Sequence, residues 1–134
     1  MTIKEYFASD RFAAAAGCEI LDVGEGYSRV RMLVTPNHLN ASGKCQGGAI
    51  FTLADLAFAV AVNSHLQLTF SVSSNISFFS NVDQGYLYAE ARELLNHHKL
   101  PFAEVRVTDS GGKLIAILTS SGYRKSEQLP LDFE

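Results

Sequence analysis

The chain has 134 residues, is 47% hydrophobic and 19% charged, and carries a formal net charge of -3. That length fits one domain with a sizeable core, and the balance excludes both a charge-rich disordered tail and the basic surface of a nucleic-acid binder. The two cysteines, Cys18 and Cys45, form no close-spaced pair, so neither a redox motif nor a zinc knuckle is expected.

Met1-Thr2-Ile3-Lys4-Glu5-Tyr6 lacks an apolar run followed by a small-residue cleavage site, so no secretory signal is read and a cytoplasmic protein is expected. The Asn-x-Ser triplets at Asn40 and Asn75 are then chance matches. Thr2 to Ala16 reads as a short helix that ends where Ala13-Ala14-Ala15-Ala16 meets Gly17. Cys18 to Val23 and Ser28 to Thr35 read as a hairpin around Gly24-Glu25-Gly26. Val30, Met32 and Val34 share one face and Arg29 and Arg31 the other. Pro36 to Gly43 is a polar, turn-rich loop.

Gln46 to His65 is too long for one strand and consists mainly of Ala, Leu, Phe and Val, which predicts a helix. Because it is apolar on nearly every side, another element must wrap it. Asp55 interrupts the run and leaves apolar stretches on either side far shorter than the roughly 20 residues a bilayer needs. Taking an ionised carboxylate out of water costs several kcal/mol unless it is compensated. Asp55 is therefore either a reacting group or a structural acid bonded to backbone donors or a neighbouring subunit.

Beyond the helix the period becomes two. Leu68 to Ser80, Gly85 to Leu95, Lys99 to Thr108 and Lys113 to Arg124 read as strands, and Ala103, Val105 and Val107 alternate with Glu104, Arg106 and Thr108. Two strands, one buried helix and four strands predict a single α+β domain over 1–134, an antiparallel sheet curling round one long helix. Ser126 to Glu134 reads as a loose or crossing tail.

The element order, together with Asn40-Ala41-Ser42-Gly43-Lys44-Cys45-Gln46-Gly47-Gly48-Ala49-Ile50-Phe51-Thr52-Leu53-Ala54-Asp55-Leu56-Ala57-Phe58-Ala59, resembles the hotdog-fold acyl-CoA thioesterases, closest to the phenylacetate-degradation (PaaI-like) group. The resemblance implies a catalytic acid at Asp55, acting as nucleophile or as general base for water. It also implies an oxyanion donor in the Gly47 backbone N–H, beside Gly48 at the helix start. Asn40 matches a side chain that orients water or the substrate carbonyl, and Ser71 matches a hydroxyl that assists water placement in some members. One position departs from the pattern. Where the family usually has His before the glycines, this chain has Gln46, which donates and accepts hydrogen bonds without titrating near neutral pH.

Read from the residues alone, Gly47 and Gly48 also suit close helix packing, and Asn40 also suits a turn. His38, His65, His97 and His98 show no metal-ligand spacing, so no metal is expected. No Gly-x-Ser-x-Gly elbow, phosphate-binding loop or dinucleotide fingerprint is present, and no bound cofactor is expected beyond the coenzyme A of the substrate. Arg92, His97, Lys99 and Arg124, near strand ends, are the candidate cations for its phosphates, although such residues are more often solvated charges.

By resemblance, edge strands pair to give a dimer, or a tetramer of two dimers, with active sites between subunits. A curved sheet with open edges supplies the physical motive. The leading expectation is hydrolysis of a small, medium-chain or aryl acyl-CoA. The alternatives are a non-catalytic acyl-CoA or metabolite binder and, third, a hotdog hydratase or dehydratase, for which a histidine paired with Asp55 is lacking.

Overall fold

The period-two segments become six strands of one antiparallel sheet in this computed structural model, which describes residues 1–133. The order along the chain is α1 (Ile3–Ala8), α2 (Arg11–Ala15), β1 (Cys18–Gly24), β2 (Tyr27–Val34), α3 (Gly47–Val62), β3 (Gln67–Phe78), β4 (Gly85–Leu95), β5 (Phe102–Asp109) and β6 (Leu114–Gln128). Across the sheet the order is β1-β2-β4-β5-β6-β3, so β1 and β3 are its edges. Inward positions alternate as the sequence predicts. Val30, Met32 and Val34 of β2, and Ala103, Val105 and Val107 of β5, are buried, as are Leu87, Ala89 and Ala91 of β4. Together they form the concave wall around α3.

Phe58, Leu53 and Ile50 of α3 are all but inaccessible to solvent, and burying each such side chain contributes about 1.5–3 kcal/mol. The helix is nevertheless not closed on every side. Gly48, Phe51, Thr52, Asp55 and Ala59, spaced three and four apart, form a stripe that the sheet does not cover. The expectation of a helix wrapped almost all round is narrowed accordingly, and Asp55 lies on the open stripe.

Buried polar bonds fix the helix to the wall. Ser28 Oγ donates to the Ala57 carbonyl at 2.6 Å. At the helix end the Asn63 amide donates to the carbonyls of Ala59 (2.8 Å) and Thr69 (3.0 Å), and its Oδ1 accepts from the Thr69 N–H at 2.9 Å. That amide ties the helix end to the start of β3. Leu66, at φ 63, then turns the chain into the strand.

Several boundaries shift by a few residues from the sequence reading, and three of the differences have a clear local reason. The N-terminal helix breaks in two because the Asp10 carboxylate accepts from the Ala13 N–H at 3.0 Å and starts a second helix. β5 begins at Phe102 rather than Lys99, since Pro101 has no N–H to give to a ladder. β6 continues past Arg124 to Gln128, and the segment after it crosses back to the N-terminus: Leu129 is buried, its N–H donates to the Leu66 carbonyl at 2.8 Å, and Asp132 pairs with Thr2. The end of the expected tail, residue 134, lies outside the described residues.

Candidate active site

Gln46 is the cap of α3. Its backbone is extended, with φ -65 and ψ 136, and its side-chain Oε1 accepts from the Gly48 N–H. Glutamine is a poor substitute for Ser, Thr, Asp or Asn at this position, so the reach to Gly48 is a specific feature of the site. The Gln46 carbonyl accepts from the Ala49 and Ile50 N–H groups at 2.9 and 3.3 Å. With those three donors occupied, the Gly47 N–H is the one at the helix start with no acceptor among the described residues. A helix start concentrates partial positive charge on such groups, which suits a developing oxyanion. The Phe78 ring covers Gly47 closely: a Cβ built there would lie 3.1 Å from Phe78 Cζ. A side chain at this position would push the ring aside.

Asp55 is half-buried and takes no hydrogen bond from the described residues. Burial, with a smaller push from the charge of Asp10, holds its carboxyl above the ordinary aspartate value. An acid in that state is a stronger base than a solvated one. It opens into a cavity of about 220 Å³ whose walls include Tyr6 and Phe7 of α1, Phe58 and Asn63 of the helix segment, and Phe70 and Ser71 of β3.

Ser71 thus shares the cavity with Asp55, and Gly122 of β6 lies opposite it across the strand pair. Tyr6, Phe7 and Asn63 are wall residues that the sequence reading missed. Asn63 is flagged only by its polarity at the end of an apolar run, and the place where α1 docks is not written in its own pattern.

A second cavity, of about 660 Å³, lies at the other end of the stripe and is bounded by Phe12, Ala16, Leu39, Gln46, Gly48 and Thr52. The structure does not bring Gly47 and Asp55 of one chain together. Eight residues separate them on one helix, about 12 Å along its axis at 1.5 Å per residue, while a carbonyl touching both needs each within about 3 Å. Asn40 is exposed and belongs to the loop before the helix, where its Oδ1 accepts from the N–H groups of Ser42 (2.9 Å) and Lys44 (3.1 Å).

The four candidate cations differ sharply. Arg92 is exposed, ion-paired with Glu90 at 3.2 Å, and stacked 4.8 Å from the Tyr27 ring centroid. Lys99 is exposed on the loop between β4 and β5. His97 Nδ1 accepts from the N–H groups of Lys99 (3.1 Å) and Leu100 (2.9 Å), so the ring shapes that loop. Arg124 is buried: its guanidinium donates to Asn96 Oδ1 at 2.7 Å, the His97 carbonyl at 3.1 Å and Glu93 Oε2 at 3.3 Å. It offers no solvated cation to a phosphate, unlike the strand-end charge that the sequence suggested.

Residues 43–116 match the model of the thioesterase superfamily. An inferred esterase of Archaeoglobus fulgidus is 38% identical over 96% of this chain and 84% of its own. The acyl-coenzyme A thioesterase PaaI of Escherichia coli is 29% identical over 88% of this chain and 85% of its own. The solved structure of that E. coli protein superposes with a TM-score of 0.89 over 93% of this chain and 91% of its own. A single-site variant of the phenylacetic acid degradation protein PaaI of Thermus thermophilus superposes with a TM-score of 0.83 at 30% identity, over 87% of this chain and 100% of its own. The sheet wrapped on one helix is the hotdog fold, and the resemblance read around Gly47 and Asp55 is to the group that includes PaaI. The chain belongs to the thioesterase superfamily and is a thioester hydrolase.

Proposed function

We propose that this enzyme hydrolyses small, medium-chain or aryl acyl-coenzyme A thioesters, with the acid on one protomer and the oxyanion donor on another. The observation that carries the reading is the complementary pair of groups on α3 without partners among the described residues: an acid that accepts no hydrogen bond at Asp55 and an amide that donates none at Gly47. Their separation of about 12 Å on one helix argues that the acid of one copy meets the amide of the other. The open edge of β3 supports such an assembly. It has one strand neighbour, and Phe70, Val72 and Phe78 on it are 54%, 65% and 49% exposed. Two such edges aligned antiparallel would satisfy each other's backbone groups and cover the aromatics.

In this scheme Asp55 either takes the proton of a water as that water attacks the thioester carbonyl carbon, or attacks the carbon itself to give an anhydride that water then opens. In both routes the carbonyl oxygen becomes an oxyanion facing the partner's Gly47 N–H. The C–S bond then breaks, coenzyme A leaves as the thiolate and is protonated, and the acyl group departs as the free acid. The raised Asp55 value favours proton abstraction near neutral pH. Ser71, which lines the same cavity, would hold the water.

The test is release of free thiol from a panel of acyl-CoAs by the wild type beside Asp55→Asn. The variant should lose at least about a hundredfold in kcat. Equal rates in both proteins would remove Asp55 from the chemistry. No turnover in the wild type, with a melting temperature raised by acyl-CoA, would replace hydrolysis by binding alone.

A further inference from the structure

Arg124 sits where a sequence reader puts a phosphate ligand, yet its surroundings give it another task. Its side chain is 4% exposed and that of Glu93, which it meets at 3.3 Å, is 5% exposed. Glu93 also accepts from or pairs with His65 Nε2 at 2.7 Å, so one buried carboxylate is shared by a guanidinium and an imidazole. Two buried charges held like this cost desolvation energy, which only good geometry and further bonds offset. The geometry is not optimised for stability alone, because Arg124 Nε is buried with no hydrogen-bond partner among the described residues.

The guanidinium spends its bonds on one particular loop. Nη1 donates to both Asn96 Oδ1 and the His97 carbonyl, while the Arg124 backbone N–H donates to the Lys99 carbonyl at 2.7 Å. Two residues earlier, the Gly122 N–H donates to the Pro101 carbonyl at 2.9 Å. The loop between β4 and β5 is thus fastened along β6. The opposite edge of β6 pairs Arg124 with Thr69 and Gly122 with Ser71, and both partners line the Asp55 cavity. The backbone of Lys99 therefore lies two strand spacings from that cavity, about 10 Å. A pantetheine arm leaving the cavity across β3 and β6 would cover that distance and bring its phosphates to exposed Lys99.

We infer that Arg124 is a positioning residue for the phosphate-bearing end of the substrate: it touches no substrate atom and clamps the 96–100 loop so that Lys99 is held against β6, where it meets the phosphates. The inference rests on the coenzyme A thioester proposed above and assigns the buried Glu93–Arg124 pair a place in recognition. Lysine cannot reproduce the fork that reaches Asn96, the His97 carbonyl and Glu93 together.

The experiment uses the full chain and two variants, Arg124→Lys, which keeps the charge against Glu93, and Asn96→Ala, which alters only the exposed end of the clamp. Calorimetric titration with coenzyme A should show Kd weakened about tenfold in both, because the loop is no longer preorganised. KM for acyl-CoA should rise by a similar factor with kcat held, while KM for the matching acyl-pantetheine, which lacks the nucleotide, stays at the wild-type value. Unchanged coenzyme A affinity in Asn96→Ala overturns the inference. So does a parallel rise of KM for acyl-pantetheine, or a wild type that does not bind coenzyme A. If Arg124→Lys melts without cooperativity, Asn96→Ala decides alone. A wild type that binds coenzyme A yet releases no thiol sinks the hydrolysis reading instead, and the affinities still judge the clamp.

Discussion

Two carboxylates occupy the interior in opposite company. Glu93, at the end of β4, meets Arg124 and His65 and is closed off from water. Asp55, midway along α3, is half-buried, accepts no hydrogen bond from the described residues and faces a cavity. Both acids are taken from water, and only one is compensated. A folded chain keeps an uncompensated acid at a cost in stability, and a reaction that needs a base is one reason to keep it. The paired acid serves structure, here the fastening of β4, β6 and the loop between β4 and β5.

Removing each acid should separate the two roles. Glu93→Gln leaves the Arg124 charge buried without a counter-ion, and thermal or urea unfolding should show a loss of about 3–5 kcal/mol. Asp55→Asn removes a charge with no partner among the described residues. It should leave unfolding stability at neutral pH equal to or above wild type, while thiol release falls at least about a hundredfold. If Asp55→Asn unfolds as easily as Glu93→Gln, Asp55 has a structural partner and the contrast is false.

Much of this contrast was legible in the chain. A switch from helical spacing to alternation at Leu68 fixed the element order, and a carboxylate inside Leu53-Ala54-Asp55-Leu56-Ala57 stood out because nothing near it in sequence could compensate it. The buried pair was also written there, in the parity of the strands. Glu93 follows Leu87, Ala89 and Ala91 on inward positions of β4, and Arg124 follows Leu118, Ser120 and Gly122 on those of β6. Two opposite charges in phase with core residues, near the ends of strands of one sheet, predict each other. Reading Arg124 only as a strand-end cation, and passing over Glu93, missed that. Tyr6 and Phe7 beside Asp55 were not legible, because a short amphipathic helix does not encode where it docks.

A pH series sharpens the difference further. Burial and Asp10 hold the Asp55 carboxyl above its ordinary value. For an acid raised on folding, the native state prefers the proton. Its charge therefore costs the fold nothing below the unfolded value of about 3.9 and becomes a penalty as pH climbs through the raised one. The advantage of Asp55→Asn in melting temperature should accordingly be larger at about pH 7 than at about pH 3.5. The acid limb of kcat/KM for the wild type should fall at a pH above that of a solvated aspartate. A melting difference that is flat across this range would mean that Asp55 keeps its solvent.

The smallest effect belongs to Gln46, and it asks which amide faces the thioester. Gln46 Oε1 occupies the Gly48 N–H, leaving the Gly47 N–H free. Gln46→Ala should cost about 0.5–2 kcal/mol, the range for losing a helix cap, and should lower kcat/KM by less than about tenfold, because losing an oxyanion donor itself costs about a hundredfold or more. Gln46→His, which restores the residue usual in the family, should recover the cap without raising the rate by more than that small factor. A hundredfold loss in Gln46→Ala would place the glutamine amide on the carbonyl itself. The Gly47 amide would then share its role with the side chain that precedes it, and the chemistry would be a cluster at one helix start acting with the single acid of the other protomer.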